Sequence, residues 1–271
     1  MSKKVQVLAV LALCSFVVGT AYGAGAETLS FRSGTAETNG AVVHVLAGPS
    51  TPFAWSPFLS LEAEDFAAAQ AADLAKTING TLPAGWVAKL NADPSAEWVN
   101  VTGSNSSTIH EPSALYAVKI VNKAGYTDDA TLVLYFAVDN QLGWENDSSI
   151  VGGVTAPVYL NGVALTPGVG PNGETSSATV GRGRFNPANN QPSPLPAGTD
   201  YALYFSGLTL NEGDNWIYFN APNAVNSHYA NGVGGSGGIL FSGTFSFTPV
   251  PEPMTMSLLG LGGLALLRRK R

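Results

Sequence analysis

Short apolar runs rich in β-branched and aromatic residues, separated by turn-forming residues, recur along most of this chain. Such runs predict β-strands. The expected strands are Thr28–Arg32, Ala41–Leu46, Glu97–Val101, Ala114–Val121, Ala130–Val138, Pro157–Leu160, Val163–Leu165, Tyr201–Phe205, Trp216–Asn220 and Ile239–Phe247. Seven or more runs with turn chemistry between them predict an all-β fold, an antiparallel β-sandwich.

Three local signals refine this expectation. Asn161-Gly162 lies between two apolar runs and is the strongest hairpin signal, because both central positions of a type I′ turn need positive φ. Ser60–Ile78 is the one convincing helix of the mature chain, with Ser60 as the cap and acidic residues in its first turn. Thr166–Gly198, rich in Pro, Gly, Asn and Ser, is expected to be a long loop, either disordered or the rim of a site.

The N-terminal segment has the pattern of a secretory signal peptide. Lys3 and Lys4 precede the apolar run Val5–Val18, and small residues follow at the −3 and −1 positions of a cleavage site. The run is a signal helix about 14 residues long, shorter than the ~20 that a spanning helix needs. We expect cleavage after Ala26, with cleavage after Gly23 as the alternative.

The chain has one cysteine, Cys14, which lies inside this apolar run. The mature protein therefore has no thiol for a disulfide or a thiolate metal site. A lipid-acceptor cysteine is the alternative interpretation, but that signal prefers a small residue where Leu13 stands.

The C-terminal segment combines a Pro-Glu-Pro motif, an uncharged apolar helix and a basic end. These elements are Pro251, Glu252 and Pro253, then Met254–Leu267, then Arg268, Arg269, Lys270 and Arg271. The arrangement resembles the PEP-CTERM sorting signal of Gram-negative bacteria. The resemblance implies recognition by a membrane-embedded exosortase, removal of the tail near the Pro-Glu-Pro motif, and surface attachment or release in organisms that make exopolysaccharide. An ordinary tail anchor is the alternative.

The segment between the two ends is strongly acidic. Six of the 13 basic residues lie in the terminal segments, so residues 27–253 hold seven basic and all 19 acidic residues, a net charge of −12. Such a surface repels phosphate backbones and anionic headgroups. We therefore expect no nucleic-acid partner, and membrane contact only through the terminal segments. The expected division is residues 1–26 signal, 27–249 sandwich domain and 250–271 sorting tail.

Several strand and turn motifs of the domain also resemble the galactose-binding-like jelly roll. They are Ala96–Val99, Leu115–Ile120, Ala130–Asn140, Val158–Gly162 and Leu210–Phe219. The resemblance implies a jelly-roll sandwich, of a kind found as accessory domains of glycosidases, whose motif positions are architectural and whose ligand loops vary. The chain departs from the pattern at Ala117, where a basic residue is common, and in the 166–198 insertion.

The motifs that could indicate catalysis lack the right context. Gly234–Gly238 fits the pattern of a nucleophile elbow around Ser236, but a strand follows where the elbow needs a helix. His44, His110 and His228 are isolated in sequence, whereas a zinc site needs at least three converging ligands. We expect no catalytic residue and no zinc.

One loop is rich in oxygen ligands. Asp139, Asn140 and Asp147 fall within nine residues, and calcium takes six to eight hard oxygen ligands. The simpler interpretation is that Asp139 and Asn140 terminate a strand by bonding their own turn. We expect no cofactor, with calcium as the alternative.

The expected ligand rim comprises Trp144, Asn226, His228 and Tyr229. A flat aromatic ring stacks on the apolar face of a sugar while Asn bonds its hydroxyls. Packing of these aromatic rings under loops is the alternative, because aromatics supply much of a core's burial.

Taken together, these signals predict an exported, non-catalytic surface protein that an exosortase sorts and that binds exopolysaccharide. Signal peptidase and exosortase are the expected processing partners, and the expected location is the surface or medium of a Gram-negative bacterium. A structural matrix protein with no small ligand is the first alternative, and a secreted hydrolase the second.

Overall fold

A computed structural model describes residues 25–34, 42–48, 61–82, 86–104, 111, 113–139, 142–143, 156–177, 185–186, 191–192, 200–221 and 237–250. These residues form two antiparallel sheets and one short helix. The strands are β1 (Glu27–Arg32), β2 (Val43–Ala47), β3 (Lys76–Thr77), β4 (Val99–Asn100), β5 (Ala114–Asn122), β6 (Thr127–Asp139), β7 (Val158–Leu160), β8 (Val163–Ala164), β9 (Phe185–Asn186), β10 (Gln191–Pro192), β11 (Tyr201–Leu210), β12 (Gly213–Ala221) and β13 (Gly238–Phe247), and helix α1 is Ala63–Ala71. The predicted all-β sandwich is confirmed.

The last strand, β13, lies inside the first sheet. That sheet runs β11-β6-β13-β4-β3, and β1 pairs with the same edge of β13 that also meets β4. The second sheet runs β2-β5-β12-β7-β8, and β9 and β10 form a separate antiparallel pair among the described residues. Sequence neighbours such as β5 and β6 therefore lie in different sheets, as in a sandwich.

Buried and less buried side chains alternate along the strands of the first sheet, and the buried ones form the core between the two sheets. On β6 the side chains of Ala130, Leu132, Leu134 and Phe136 are buried in the main core, while the residues between them are half-buried. The period of two directs every second residue toward the facing sheet. The burial is what holds the two sheets together.

Phe31 and Gly243 meet at the centre of this core. They are register partners on β1 and β13, and a Cβ added at Gly243 would overlap the Phe31 ring. The Phe31 ring contacts Phe245 at 5.9 Å, Phe241 at 6.2 Å and, on the facing sheet, Phe219 at 6.5 Å between ring centroids. Glycine at position 243 is therefore what makes room for a ring that contacts both sheets.

Helix α1 is shorter than the sequence predicts. Glu62 rather than Ser60 begins it, with a capping box in which the Asp65 carboxylate accepts the Glu62 amide at 2.9 Å. The predicted helix extends to Ile78, but in the structure the chain beyond Ala72 is extended. Asp73–Ala75 bonds the edge of β2, since the amide of Val45 donates to the Asp73 carbonyl and that of Ala75 to the Val43 carbonyl, both at 2.9 Å. An open strand edge offers these backbone groups partners that a further helical turn would forgo.

The hairpin predicted at Asn161-Gly162 joins β7 and β8. Both residues have positive φ, 51° and 82°, as the predicted turn requires. The Asn161 amide donates to the Trp216 carbonyl at 2.7 Å, and the Trp216 amide donates to the Asn161 side chain at 2.8 Å. The turn is therefore tied to β12 as well as to its own strands.

The first part of the predicted 166–198 loop covers a strand edge. The amide of Gly168 donates to the Tyr204 carbonyl at 2.7 Å, and that of Ser177 to the Ala202 carbonyl at 2.9 Å. These bonds occupy the edge of β11 that faces away from β6, and a covered edge is protected against pairing with other chains.

A search of the described residues found no helix long and apolar enough to cross a membrane.

Candidate functional site

The sandwich has two opposite ends, and at the first of them the described part of the chain begins and ends. Glu27, the first residue of β1, is the register partner of Phe247, the last residue of β13. The β5–β6 turn at Asn122–Tyr126 and the β11–β12 turn at Leu210–Gly213 lie at the same end. We call this end, with Thr248–Val250, the tail end.

The second end lies at the other termini of the same strands. Asp139 ends β6, Ala221 ends β12 and Gly238 begins β13, and Gly238 is the register partner of Asp139. A ten-residue strand such as β13 spans about 30 Å, so the two ends are separated by roughly that distance. We call this second end the loop end.

Most of the predicted site residues lie outside the described residues. They are Trp144, Asn226, His228, Tyr229, Asn140, Asp147, Pro251, Glu252, Pro253, Arg268, Arg269, Lys270 and Arg271. Ala26 and Asp139 are described: Ala26 is exposed directly before β1, and Asp139 is buried at the end of β6. The ligand rim, calcium site and processing sites stay predictions.

The residues directly before the two predicted rim segments are described, and they are hydrogen bonded to each other. Gly143, which precedes Trp144, donates its amide to the carbonyl of Asn220 at 2.7 Å. Asn220 is followed by Ala221, the last residue of β12 and the last described residue before the segment with Asn226–Tyr229. Leu142 beside it is fully buried in the main core. Two segments about 80 residues apart in sequence thus start side by side at the loop end.

Asp139 lies on the outer face of the first sheet, beneath an aromatic pair. The Trp86 indole hydrogen bonds its carboxyl group, and Trp86 in turn contacts Trp98 with ring centroids 4.0 Å apart. Burial raises the pKa of Asp139 well above its usual range, and the Trp86 hydrogen bond only partly opposes this. Asp139 therefore ends β6 as a buried group whose carboxyl bonds the Trp86 side chain.

Asp139→Asn should flatten the pH dependence of stability. Because the folded-state pKa is raised, the unfolded chain loses this proton first, so the free energy of unfolding falls as pH rises from about 4 toward the folded pKa. Asparagine keeps an acceptor for Trp86 and has no proton to lose. Melting temperatures at intervals from pH 4 to pH 8 should fall less in the variant than in the wild type. Asp128→Asn, on an exposed residue, is the control; equal slopes in all three proteins would contradict the prediction.

In the part of the chain that the structure describes, no group of three or more His, Cys, Asp or Glu side chains is placed to hold a metal ion. Of the predicted calcium ligands only Asp139 is among these residues, and its oxygens already face the Trp86 indole. The calcium hypothesis depends on Asn140 and Asp147, which are not described.

A second buried carboxyl group, Glu111, lies between the sheets. The Thr102 hydroxyl donates to it, and burial raises its pKa despite that hydrogen bond. The Tyr116 hydroxyl lies nearby and donates to the Val99 carbonyl at 3.4 Å, and burial together with the Glu111 charge raises the pKa of Tyr116. Tyr116 is buried in the main core and Thr102 is exposed, so the Glu111 carboxyl group lies where the core meets the surface just after β4.

The predicted glycine loop does not have the geometry of a nucleophile elbow. Gly238 begins β13, so a strand follows Ser236 where the elbow needs a helix. Gly237 accepts a hydrogen bond from the Asn100 side chain at 3.0 Å through its carbonyl. Asn100 is buried and fixes this point of the loop end.

Sequence reasoning missed two buried asparagines that organise the tail end. The Asn122 side chain donates to the carbonyls of Gly125 at 2.6 Å and Asn211 at 3.1 Å, and accepts from the Ala124 amide at 3.0 Å. Asn215 makes four such bonds around the β11–β12 turn and to Asn161. Asparagine at a strand end beside a glycine turn is the signal that could have found both.

The chain remains bound to the domain up to Val250. The Val250 amide donates to the Tyr126 carbonyl at 2.7 Å, and the glycine turn passes so close that a Cβ on Gly125 would lie 3.7 Å from Pro249. The ordered contacts of the domain therefore extend to the residue before Pro251.

Comparison with known protein families gives one match, to the PEP-CTERM protein-sorting motif over residues 249–271. The chain carries a PEP-CTERM sorting motif. The predicted sorting signal is confirmed, and the motif supports an exported protein that an exosortase sorts through a transient membrane anchor. No curated protein and no solved structure matches the chain, so the galactose-binding-like resemblance stays a prediction.

Proposed function

We propose that this is a non-catalytic surface protein that binds exopolysaccharide through the loop end after exosortase sorting. The observation that supports the proposal is the opposition of the two ends. The sorting tail leaves beside Val250 at the tail end, whereas the Trp144 and Asn226–Tyr229 segments leave about 30 Å away. Because the tail and the predicted rim segments start from opposite ends, processing at the tail end leaves the loop end accessible to a ligand.

The hydrogen bond between the residues that precede the two segments also supports the proposal. Because Gly143 bonds Asn220, the two segments that carry the predicted aromatic and polar rim residues are connected to neighbouring points of the domain. Glycan recognition needs such a combination, since a ring covers the apolar sugar face and amide groups bond its hydroxyls. The alternative of a structural matrix protein needs an open strand edge, yet much of the edge of β11 is already occupied by Gly168–Ser177.

Saturable binding to the producer's own exopolysaccharide is the expected result with purified residues 27–250. A glycan array and a pull-down, each with and without calcium, measure it. Tyr229→Ala and Trp144→Ala should each weaken binding about tenfold or more, because stacked aromatic side chains dominate small interfaces of this kind.

The matched control is Tyr126→Ala, which removes an exposed tyrosine at the tail end and leaves the backbone bond to Val250 in place. Binding that falls equally in Tyr126→Ala and Tyr229→Ala would place the ligand elsewhere. No binding by the wild type, with or without calcium, would contradict the proposal and favour the structural matrix role.

A further inference from the structure

The short connection between the domain and the sorting tail limits how far the domain can stand from the membrane. Val250 is held by Tyr126, and Met254, the first residue of the apolar run, follows it by four residue-to-residue steps. Fully extended they reach roughly 14 Å. The headgroup layer on each side of a bilayer is about 5–8 Å thick. While the apolar run is in the membrane, the tail end therefore lies at or just above the headgroups.

An exosortase that cuts near Pro251–Pro253 must work in the same narrow space. Its substrate segment begins one residue after the Tyr126–Val250 hydrogen bond, so the enzyme cannot reach the motif without approaching the β5–β6 turn. Asn122 holds that turn closed through three hydrogen bonds and is completely buried. The turn is thus a rigid neighbour of the processing site.

The charge of the tail end favours a protein partner over lipid. Lys119 and Asp214 form an ion pair with 2.5 Å between Nζ and Oδ2, so their charges offset each other. The other exposed charged side chains described at this end include three acidic residues, Glu27, Asp128 and Asp129, and one basic residue, Lys123. Such a surface is repelled by anionic headgroups and attracted to a basic surface.

We propose that the tail end is a docking surface for exosortase, recognised by a basic patch of the enzyme beside the membrane. The inference rests on the sorting function that the motif supports and adds a second contact to it, from the folded domain. Docking brings Pro251 to the enzyme in a fixed orientation, because the chain is rigidly attached up to Val250. Once the tail is removed, the acidic end has no affinity for the anionic membrane, and the domain leaves.

Site-specific crosslinking in the full chain tests the contact. The only cysteine, Cys14, lies in the predicted signal, so a cysteine introduced in the domain is the single exported thiol. Ala124→Cys places it on the β5–β6 turn, and Ala47→Cys is the matched control at the loop end; both alanines are exposed. Each variant is labelled in cells with a small, charged thiol-reactive photocrosslinker that passes the outer membrane but not the inner membrane. We expect an exosortase adduct from Ala124→Cys and none from Ala47→Cys.

Charge neutralisation tests the chemistry of the contact. Asp128→Asn with Asp129→Asn should slow tail removal, followed by pulse-chase, by about threefold or more, because complementary charge acts mainly on association rates. Glu64→Gln with Asp73→Asn removes two exposed charges away from the tail end and should leave the rate unchanged. Thermal unfolding of both double variants shows whether the fold is retained.

Equal rates of tail removal in the two double variants would overturn the proposal. In the crosslinking experiment, adducts with lipid alone, no exosortase adduct from Ala124→Cys, or equal adducts from both cysteines would also overturn it. A wild-type chain whose tail is never removed would instead refute exosortase sorting itself. Glycan binding is measured on the processed domain, so its failure is independent of these results.

Discussion

Phe31→Ala should lower the free energy of unfolding by about 3–5 kcal/mol, the largest single effect expected in this domain. The Phe31 ring is 1% exposed and contacts aromatic rings of both sheets. Its removal leaves a cavity where β1, β12 and β13 meet, which neighbouring rings on paired strands can fill only in part. Urea unfolding followed by tryptophan fluorescence measures the change.

Gly243→Ala tests the same contact from the opposite side. The added methyl group has to displace the Phe31 ring, so the expected cost is about 1–3 kcal/mol. In the double variant the methyl group enters the space that the ring has left, and the combined loss should be smaller than the sum of the two. Thr244→Ala, at the next, half-buried position, is the control. Strict additivity would show that Phe31 and Gly243 do not share this space.

Asn215→Ala should cost about 3 kcal/mol, the second largest effect. The side chain is fully buried and makes four hydrogen bonds, to the amide and carbonyl of Asn211, the carbonyl of Gly213 and the side chain of Asn161. Alanine leaves several of these groups without a partner, at about 1–3 kcal/mol for each one that water cannot reach. Urea unfolding at neutral pH is again the measurement.

The matched control is Asn211→Ala. Asn211 is exposed, and its bonds to Asn215 are made by the backbone, which alanine keeps. We expect a loss below about 0.5 kcal/mol for this surface substitution. Similar losses in the two variants would show that the Asn215 side chain does not organise the turn.

The signals that could be interpreted from sequence are those that depend on local chemistry. Short apolar runs rich in β-branched and aromatic residues predicted β5, β6, β12 and β13 within a few residues, because such side chains favour strands. Asn161-Gly162 predicted its hairpin because few other pairs tolerate positive φ twice. The sorting motif was recognisable because its elements are adjacent in the chain.

Where local propensity and tertiary partners compete, the sequence-based expectation was wrong. The predicted helix continued to Ile78, but the structure ends it at Ala71. Residues 73–75 instead satisfy their backbone groups on β2, and Ile78 is buried beside Trp98 on the outer face of the other sheet. A helical pattern in the sequence contains no information about a strand edge supplied by a distant segment.

What the sequence by itself determined is that the chain has a PEP-CTERM motif and folds as an all-β sandwich. Only the tertiary structure decided that Glu27 faces Phe247 and that Gly143 meets Asn220, which separates a tail end from a loop end. It also buried Asp139, Asn122 and Asn215, which as sequence resemble ordinary turn residues. The physical reason is that these contacts join residues up to 220 positions apart, and pairing over such separations follows from how all the strands pack together rather than from any local pattern.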